Sequence, residues 1–181
     1  MNHQGTILLE TERLILRRFV LEDAEAMYRN WTGDAEVTKF LTWPTHPSAE
    51  VSGMLLTDWV SRYENADYYN WAIVLKGESG EPIGNISVVT LLEKVAGAEI
   101  GYCMGRRWWG HGVMAEALAA VIGYLLGQVG MQRIQACHDV NNPASGRVME
   151  KCGMQYEGTL RASAWNNQGV CDASWYAILS E

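Results

Sequence analysis

The stretch from residue 98 to residue 126 constrains the fold more than any other part of the chain. The apolar run at residues 98–104 has the length and composition of a buried strand. A glycine-rich turn follows it, and the apolar stretch at about residues 112–126 has the length of a helix. A buried strand that leads through a glycine turn into a buried helix is typical of proteins in which helices cover a sheet.

The rest of the chain supplies further strands and helices around this unit. Strands are predicted at residues 14–18, 71–75, 82–90 and 133–138, and a final hairpin at about 155–165 and 170–179. Helices are predicted at residues 21–27, 48–63 and about 143–151. In the second of these, the four-residue spacing of Val51, Leu55, Trp59 and Tyr63 predicts the buried face. This order predicts a mixed α/β domain around one sheet.

Composition and charge narrow the class of protein. The chain has 181 residues, enough for one domain with a sizeable core, and a formal net charge of −7. Binding along a nucleic acid by neutralising its phosphates would require the opposite charge. The longest apolar run, residues 117–126, is too short to cross a membrane, and the first residues lack the pattern of a secretory signal. We therefore expect a cytoplasmic protein that binds neither nucleic acid nor membrane.

The cysteines and histidines argue against metal and disulfide chemistry. Cys103, Cys137, Cys152 and Cys171 lie far apart with no C-x-x-C pair, which favours buried thiols in a reducing compartment. The four histidines show no metal-ligand spacing, so we expect no metal. His138-Asp139 does not complete a nucleophilic triad with a cysteine, because neighbouring strand residues point to opposite faces and no G-x-S-x-G turn exists.

The turn before the long helix carries the clearest chemical signal. Glycines stand at positions 110 and 112, and no side chain there is an obvious cap for the helix. Uncapped amides and aligned peptide dipoles make a helix start attractive to an anion such as a pyrophosphate. Arg106, Arg107 and His111 add positive charge in an otherwise acidic chain. The alternative is an accidental glycine-rich turn, since 18 residues of the chain are glycine.

Two common phosphate-binding turns do not match this segment. A P-loop requires G-x-x-x-x-G-K-[ST], and no lysine follows Gly110 or Gly112. The dinucleotide fingerprint requires an acidic residue about 20 positions after its glycines, and residues 130–133 supply none. A nucleotide-binding domain of either kind is therefore disfavoured.

The same residues resemble a known family. Residues 107–112 (Arg-Trp-Trp-Gly-His-Gly) match the [QR]-x-x-G-x-[GA] signature of the GNAT superfamily of acyl-CoA-dependent N-acetyltransferases. Residues 9–17 and 99–102 are similar to the first and fourth strands of its ribosomal-protein N-terminal (alanine/serine) acetyltransferase branch. Residues 142–145 and 150–158 are similar to the N-x-x-S and E-K-x-G-F…E-G segments of that branch. Because these pieces occur in the right order and spacing, the resemblance covers nearly the whole chain.

The resemblance implies a fold and a reaction. It implies one N-acetyltransferase domain over residues 1–181, with a mostly antiparallel sheet splayed at its strands 4 and 5, about four flanking helices and a C-terminal hairpin. The implied reaction is transfer of an acetyl group from acetyl-CoA to a primary amine by direct attack in a ternary complex. The amine is a protein N-terminal α-amine or a small molecule, and the protein is a monomer or homodimer. The alternative is a non-catalytic module that binds acyl-CoA as a sensor.

The resemblance also implies which residues contact coenzyme A. The pyrophosphate would bind the amides of residues 107–114, and the pantetheine arm would run beside the fourth strand, with Asn142 holding it from the other side. The implied contact residues are Cys103, Met104, Arg107, Gly110, His111, Gly112, Val113, Met114 and Asn142. Only the pyrophosphate site has independent support, from the uncapped helix start.

The reaction needs a group that accepts a proton, because an α-amine has a pKa of about 8 and a lysine amine about 10. Glu99 is the candidate base, since many relatives carry a glutamate at the start of the fourth strand, near the acyl group. The alternative is a structural glutamate that forms an ion pair with Arg13 or Arg17. Asp139, Glu116 and Asp172 are the reserve acids, and Glu116 is better placed to position the cofactor turn.

The leaving thiolate has a pKa of about 8 to 9, so a modest hydrogen-bond donor suffices. Many GNAT enzymes use a tyrosine at the position that is Met149 here, so this chain departs from the common pattern. Ser145, the serine of the N-x-x-S segment, is the candidate donor, and Tyr102 and Tyr156 are weaker alternatives. Ser145 is otherwise an ordinary serine of a first helical turn.

The acceptor is the least determined partner. Trp and Tyr are abundant between residues 31 and 71, the region that walls the acceptor cleft in relatives. The spacing of Trp59 and Tyr63 indicates core, whereas the loop residue Trp43 is the better candidate for a cleft wall. Aromatic walls and a net negative charge suit a cationic amine.

Overall fold

The computed structural model describes residues 1–180, and within that range eight strands form one sheet. The strands are β1 (Leu9–Glu10), β2 (Leu14–Arg17), β3 (Asn70–Leu75), β4 (Pro82–Leu92), β5 (Gly97–Met104), β6 (Arg133–Asp139), β7 (Gln155–Asn166) and β8 (Gly169–Leu179). Their order across the sheet is β1-β2-β3-β4-β5-β6-β8-β7. All neighbours are antiparallel except β5 and β6, which are parallel. The predicted mixed α/β class and the C-terminal hairpin are confirmed.

Five α-helices of the described chain accompany the sheet. They are α1 (Ala24–Met27), α2 (Ala35–Thr38), α3 (Ala49–Arg62), α4 (Val113–Gly127) and α5 (Pro143–Lys151). The helix predicted at residues 21–27 is a composite, because a 3₁₀ turn at Leu21–Asp23 precedes α1 and a π turn at Tyr28–Thr32 follows it. The sequence does not predict the short α2, whose N-cap Asp34 accepts a hydrogen bond from the amide of Glu36. None of these helices is both long and apolar enough to cross a bilayer.

Two hydrophobic clusters sandwich the sheet. On one face Ala117, Leu118 and Val121 of α4 are fully buried against strand residues such as Trp71 and Ile73. The second cluster joins α1, the π turn and α3 to the sheet through Phe19, Met27, Trp31, Leu56 and Tyr63. Because strand side chains alternate between faces, each central strand contributes to a layer on one side or the other. Both faces of the sheet are therefore covered, which explains the near-continuous apolar runs of β3 and β5.

The buried face of α3 differs from the predicted one. Val51, Leu55 and Trp59 are half-buried, whereas Ser52 and Leu56 are inaccessible to solvent. Ser52 is buried because its hydroxyl is paired with Thr32 Oγ1 (2.9 Å) and His46 Nδ1 (2.8 Å). A polar residue at the centre of the face hides the true stripe from a prediction based on apolar spacing.

The C-terminal hairpin is bent and tied to a distant loop. The register of β7 against β8 shifts between Leu160 and Ala164, where Ala162 has φ +49° and its amide donates to Asp172 Oδ1 (2.8 Å). Such a bulge bends the strand that contains it. At the hairpin tip, Asn167 Nδ2 donates to the carbonyl oxygens of Thr38 (2.9 Å) and Trp43 (2.8 Å). We call these contacts of Asn167 the hairpin clasp.

We predict that Asn167→Ala loosens the segment that the hairpin clasp holds. Loss of two side-chain hydrogen bonds lowers the free energy of unfolding by about 1 to 2 kcal/mol. Amide hydrogen exchange at residues 41–46 becomes faster, while exchange in β3 and β4 is unchanged. Gln168→Ala is the matched control, because the exposed Gln168 side chain lies in the same turn and contacts neither Thr38 nor Trp43. Equal exchange in both variants would show that the clasp does not restrain the loop.

Candidate functional site

The site begins where two parallel strands part. β5 and β6 pair only through Gly97↔Arg133, Ala98↔Ile134 and Glu99↔Gln135, although β5 continues to Met104 and β6 to Asp139. Beyond Glu99, the edges of β5 and β6 that face each other are no longer paired. The predicted splay is confirmed, and it produces a wedge-shaped opening in the sheet.

A bulge in β4 marks the point of divergence. The register of β4 against β5 shifts between Val88 and Thr90, which are opposite Ile100 and Glu99. The extra residue, Val89, presses its side chain over Gly101, where an added Cβ would lie 2.8 Å from Val89 Cγ1. A bulge increases local twist, and here the twist develops where β6 leaves β5. A side chain at Gly101, a position that the sequence analysis does not single out, would have to displace the Val89 side chain.

The turn after β5 leads into an uncapped helix. Trp109 Nε1 donates to the carbonyl oxygen of Met104 (2.7 Å), which folds the turn back on the strand end. Gly110 and Gly112 have φ of +79° and +76°, a region that residues with side chains rarely adopt. Gly112 is the N-cap of α4 and supplies no side-chain hydrogen bond, so the first amides of α4 lack that partner. The uncapped helix start from which the sequence analysis predicts an anion site is therefore present.

A cleft of about 370 Å³ lies between this turn, the end of β5, the start of α5 and the segment 36–41. It brings together the candidate donor Ser145 and most of the predicted contact residues, namely Cys103, Met104, Gly110, Gly112, Val113, Met114 and Asn142. Arg107 lies outside it, in a separate surface pocket with Arg106 and Trp108. His111 is not among the lining residues either, and its carbonyl oxygen accepts a hydrogen bond from Arg13 (3.0 Å). Glu99, the candidate base, is also not among the residues that line the cleft.

Glu99 lies at the vertex of the opening, in the last paired position of β5. Burial raises the pKa of its carboxyl group above the ordinary value, and a hydrogen bond with Gln135 opposes the shift in part. The alternative ion pairs are not formed, because Arg13 pairs with Glu116 (2.6 Å) and Arg17 with Asp23 (2.7 Å). Glu99 is thus a half-buried carboxyl group without a charged partner, which suits proton transfer better than stabilisation.

The reserve acids all have structural partners. Burial alone would raise the pKa of Asp139, but hydrogen bonds from Asn141 and Asn166 lower it below its usual value. Burial would likewise raise the pKa of Glu116, and hydrogen bonds from Thr11 and Arg13 outweigh it and lower that pKa. Asp172 holds the amide of Ala162 in the bulge of β7. These arrangements favour Glu99 over the other three as a proton acceptor.

Ser145 is part of a hydroxyl pair. Tyr102 from β5 donates to the carbonyl oxygen of Ser145 (3.0 Å), and its oxygen lies 2.9 Å from Ser145 Oγ. Both residues line the cleft, and burial raises the pKa of the Tyr102 phenol. Tyr156 is exposed and bonded to Thr159, and Met149 is buried in the core. Tyr102, a weaker candidate in the sequence, is therefore the tyrosine that the fold brings to Ser145.

The acceptor-side aromatics divide differently from the prediction. Trp43 packs against the second hydrophobic cluster, with its ring 5.4 Å from that of His46, and does not line the cleft. Phe40 and Leu41, its neighbours in the chain, line the cleft instead, together with Lys39. Tyr63 is core as predicted, and Trp59 packs against that core. All four cysteines are free, and the described residues 1–180 contain no cluster of side chains placed to hold a metal ion.

Comparisons with known proteins agree with this geometry. A family model described as "Acetyltransferase (GNAT) domain" matches residues 13–155. The chain is 33% identical over 172 residues to the uncharacterized N-acetyltransferase YoaA of Bacillus subtilis, covering 95% of this chain and 96% of the relative. The uncharacterized N-acetyltransferase p20 of Bacillus licheniformis is 32% identical over 172 residues, 94% of this chain and 95% of the relative.

Solved structures share the fold. A GNAT-family acetyltransferase from Bacillus anthracis superposes with a TM-score of 0.82 at 26% identity, covering 96% of this chain and 98% of that one. RimL, a ribosomal alpha-N-protein acetyltransferase solved in complex with coenzyme A, superposes with a TM-score of 0.85 at 20% identity, covering 96% and 98%. With the family model spanning most of the chain and relatives above 30% identity over nearly all of it, the protein belongs to the GNAT family and is an acyl-CoA-dependent N-acetyltransferase.

Proposed function

We propose that the protein transfers the acetyl group of acetyl-CoA directly to a primary amine, with both substrates bound at the opening between β5 and β6. The observation that carries this proposal is the position of that opening next to the uncapped start of α4. The opening gives a thioester and an amine a place to meet, and the helix start gives a pyrophosphate a place to bind. Acetyl-CoA supplies the acetyl group as a thioester, and the chain's own residues bind it and move protons.

The backbone supports binding of the phosphates and the pantetheine arm. The amides of residues 110–114 line the turn, and no side chain at Gly110 or Gly112 blocks close approach. Beyond Glu99, the edge of β5 that faces β6 has no paired strand at residues 100–104. Its free backbone groups suit hydrogen bonds with the amides of a pantetheine arm. Asn142, on the other side of the cleft, makes no side-chain cap bond to α5, so its amide group is available to the arm.

Glu99 is proposed as the group that accepts the proton of the attacking amine through water. An ammonium group cannot attack a thioester, so a base near the amine is needed at neutral pH. Burial raises the pKa of Glu99, which brings it closer to the pH at which it works. None of the ion pairs among the described residues includes Glu99.

The hydroxyl pair of Tyr102 and Ser145 is proposed to donate a hydrogen bond to the sulfur as coenzyme A leaves. Each hydroxyl group is both a donor and an acceptor, so either member of the hydrogen-bonded pair can donate to the sulfur. This replaces the tyrosine expected at Met149, whose absence is the main argument for a sensor without turnover. The pair therefore favours turnover over that alternative.

The acceptor is proposed to be a cationic amine, either a protein N-terminal α-amine or a small molecule. The net charge of −7 attracts cations, and Phe40 and Leu41 give the cleft an apolar wall. One relative, in Bacillus subtilis, carries the name of a ribosomal N-acetyltransferase, YdaF, at 25% identity over 171 residues, 93% of this chain and 92% of the relative. That name supports the protein N-terminus without excluding small amines. The four free thiols support a reducing, cytoplasmic location.

Binding of acetyl-CoA tests the turn. We predict that acetyl-CoA at about 100 times its dissociation constant raises the melting temperature by roughly 5 to 10 °C, whereas ATP and NAD do not. Gly112→Val abolishes the shift, because a β-branched residue at φ +76° distorts the turn and crowds the pyrophosphate. Gly130→Val is the matched control, since Gly130 has φ +75°, open space around it and no place in the cleft. A shift retained in folded Gly112→Val would contradict the pyrophosphate site.

The pH dependence of turnover tests Glu99. In a thiol-release assay with a panel of primary amines, Glu99→Gln lowers kcat by roughly 100-fold at neutral pH, and the loss shrinks as pH rises and the amine deprotonates itself. Because burial raises the folded-state pKa, the ionised Glu99 opposes folding above its unfolded pKa. We therefore expect the variant to keep the wild-type melting temperature at neutral pH, and thermal unfolding of both proteins checks that the loss does not come from unfolding. Exposed Glu93 provides the control Glu93→Gln, and an unchanged pH–rate profile in Glu99→Gln would eliminate Glu99 as the base.

The hydroxyl pair has its own kinetic signature. Tyr102→Phe and Ser145→Ala each lower kcat by roughly ten-fold, because a thiolate with a pKa near 8 to 9 needs only modest assistance. The double variant loses little more than either single variant, since the two hydroxyls act as one unit. Tyr156→Phe, which removes an exposed hydroxyl outside the cleft, is the control. Losses that multiply in the double variant would mean that the two residues act separately.

A further inference from the structure

We propose that Thr11, Arg13 and Glu116 form a positioning network that holds the turn at residues 110–114 in the conformation that binds pyrophosphate. The inference rests on the proposed function, because it assigns a task to residues around the turn that function requires. None of the three lines the cleft, so they act through the backbone rather than by contact with the reacting atoms.

Glu116, in the first turn of α4, is held by a segment more than a hundred residues earlier in the chain. Its Oε1 accepts hydrogen bonds from Thr11 Oγ1 (2.5 Å) and from the amide of Arg13 (2.9 Å). Its Oε2 accepts one from Arg13 Nε (2.6 Å). Both carboxylate oxygens are therefore used, and the first turn of α4 is fixed to the segment between β1 and β2.

Arg13 also reaches the turn itself. Its Nη1 donates to the carbonyl oxygen of His111 (3.0 Å), between the two glycines with positive φ. In a trans peptide the carbonyl oxygen and the next amide hydrogen point in opposite directions. A guanidinium that holds the His111 oxygen therefore turns the Gly112 amide away from Arg13, and Gly112 lines the cleft. The network thus fixes the direction of an amide that the pyrophosphate needs.

Charge gives Arg13 a second task. Glu116 stands in the first turn of α4, so its negative charge repels any phosphate at the start of that helix. Hydrogen bonds from Thr11 and Arg13 lower the pKa of Glu116 against the effect of burial, and the guanidinium of Arg13 balances the charge of the carboxylate. The side chains of Arg13 and Glu116 are 45% and 19% exposed. A pair this exposed adds little to the free energy of unfolding. We therefore assign it the role of orienting the turn.

The test compares two ligands by calorimetry on the full-length protein. Acetyl-CoA contains the pyrophosphate, whereas S-acetylpantetheine contains the same thioester arm without any phosphate. Arg13→Ala weakens acetyl-CoA binding by roughly ten- to a hundred-fold, the range for loss of a hydrogen bond to a charged group, and leaves S-acetylpantetheine unchanged. The melting temperature of the unliganded variant falls by no more than about 3 °C. Lys76→Ala is the matched control, because Lys76 Nζ bonds the Thr11 carbonyl oxygen (2.7 Å) without touching the turn.

A double variant separates positioning from ordinary structural damage. Arg13→Ala leaves the Glu116 charge unbalanced beside the phosphates, so adding Glu116→Gln restores part of the lost acetyl-CoA affinity. A purely structural role predicts no recovery, since a glutamine oxygen at position 116 can still accept the hydrogen bonds from Thr11 Oγ1 and the Arg13 amide. Equal weakening for both ligands would overturn the positioning role, and a double variant that binds no better than Arg13→Ala would overturn the charge-balancing role; either result leaves the proposed function standing. Failure of the wild type to bind acetyl-CoA would overturn the proposed function and the network with it.

Discussion

The separation of β5 and β6 after three residue pairs is the constraint on which the site depends. Each strand keeps its other neighbour, β4 or β8, so only the edges that face each other lose their partners. Unpaired backbone groups away from water are costly, and an opening of this kind persists only if something else satisfies them. The bulge at Val89 lies next to Glu99, so the opening starts at a half-buried carboxyl group without a charged partner.

The start of α4 depends on the same opening. The free amides at the start of a helix can bind a ligand only if the ligand can reach them. The end of β5 brings the turn to the mouth of the cleft. The glycines at 110 and 112 give this turn its shape but also make it deformable. Contacts from Trp109, Arg13 and Glu116 restrict it, so the flexibility of glycine in the unfolded chain does not persist in the folded turn.

Sequence patterns predicted the elements better than the contacts between them. The strands of the central sheet, α4 and α5 lie within a few residues of their predicted positions, because each has a clear period or a glycine or proline at its boundary. The short α2 and the π turn have no such period. The hydroxyl pair of Tyr102 and Ser145 and the bonds of Arg13 to Glu116 join residues 43 and 103 positions apart, and no local pattern encodes them. The signature turn was identified because its chemistry is local, whereas the choice of Tyr102 over Tyr156 required the fold.

The hairpin clasp has a consequence for how such a protein diverges. Asn167 ties the hairpin tip to the carbonyl oxygens of Thr38 and Trp43, which flank the part of the chain that forms one wall of the cleft. An insertion in the hairpin turn moves Asn167 away from both oxygens, and a change of length between residues 38 and 43 moves the oxygens away from Asn167. Neither segment can therefore change its length alone without loosening the cleft wall. In this lineage, new acceptor preferences are expected to arise through compensated changes in two segments more than 120 residues apart in the chain.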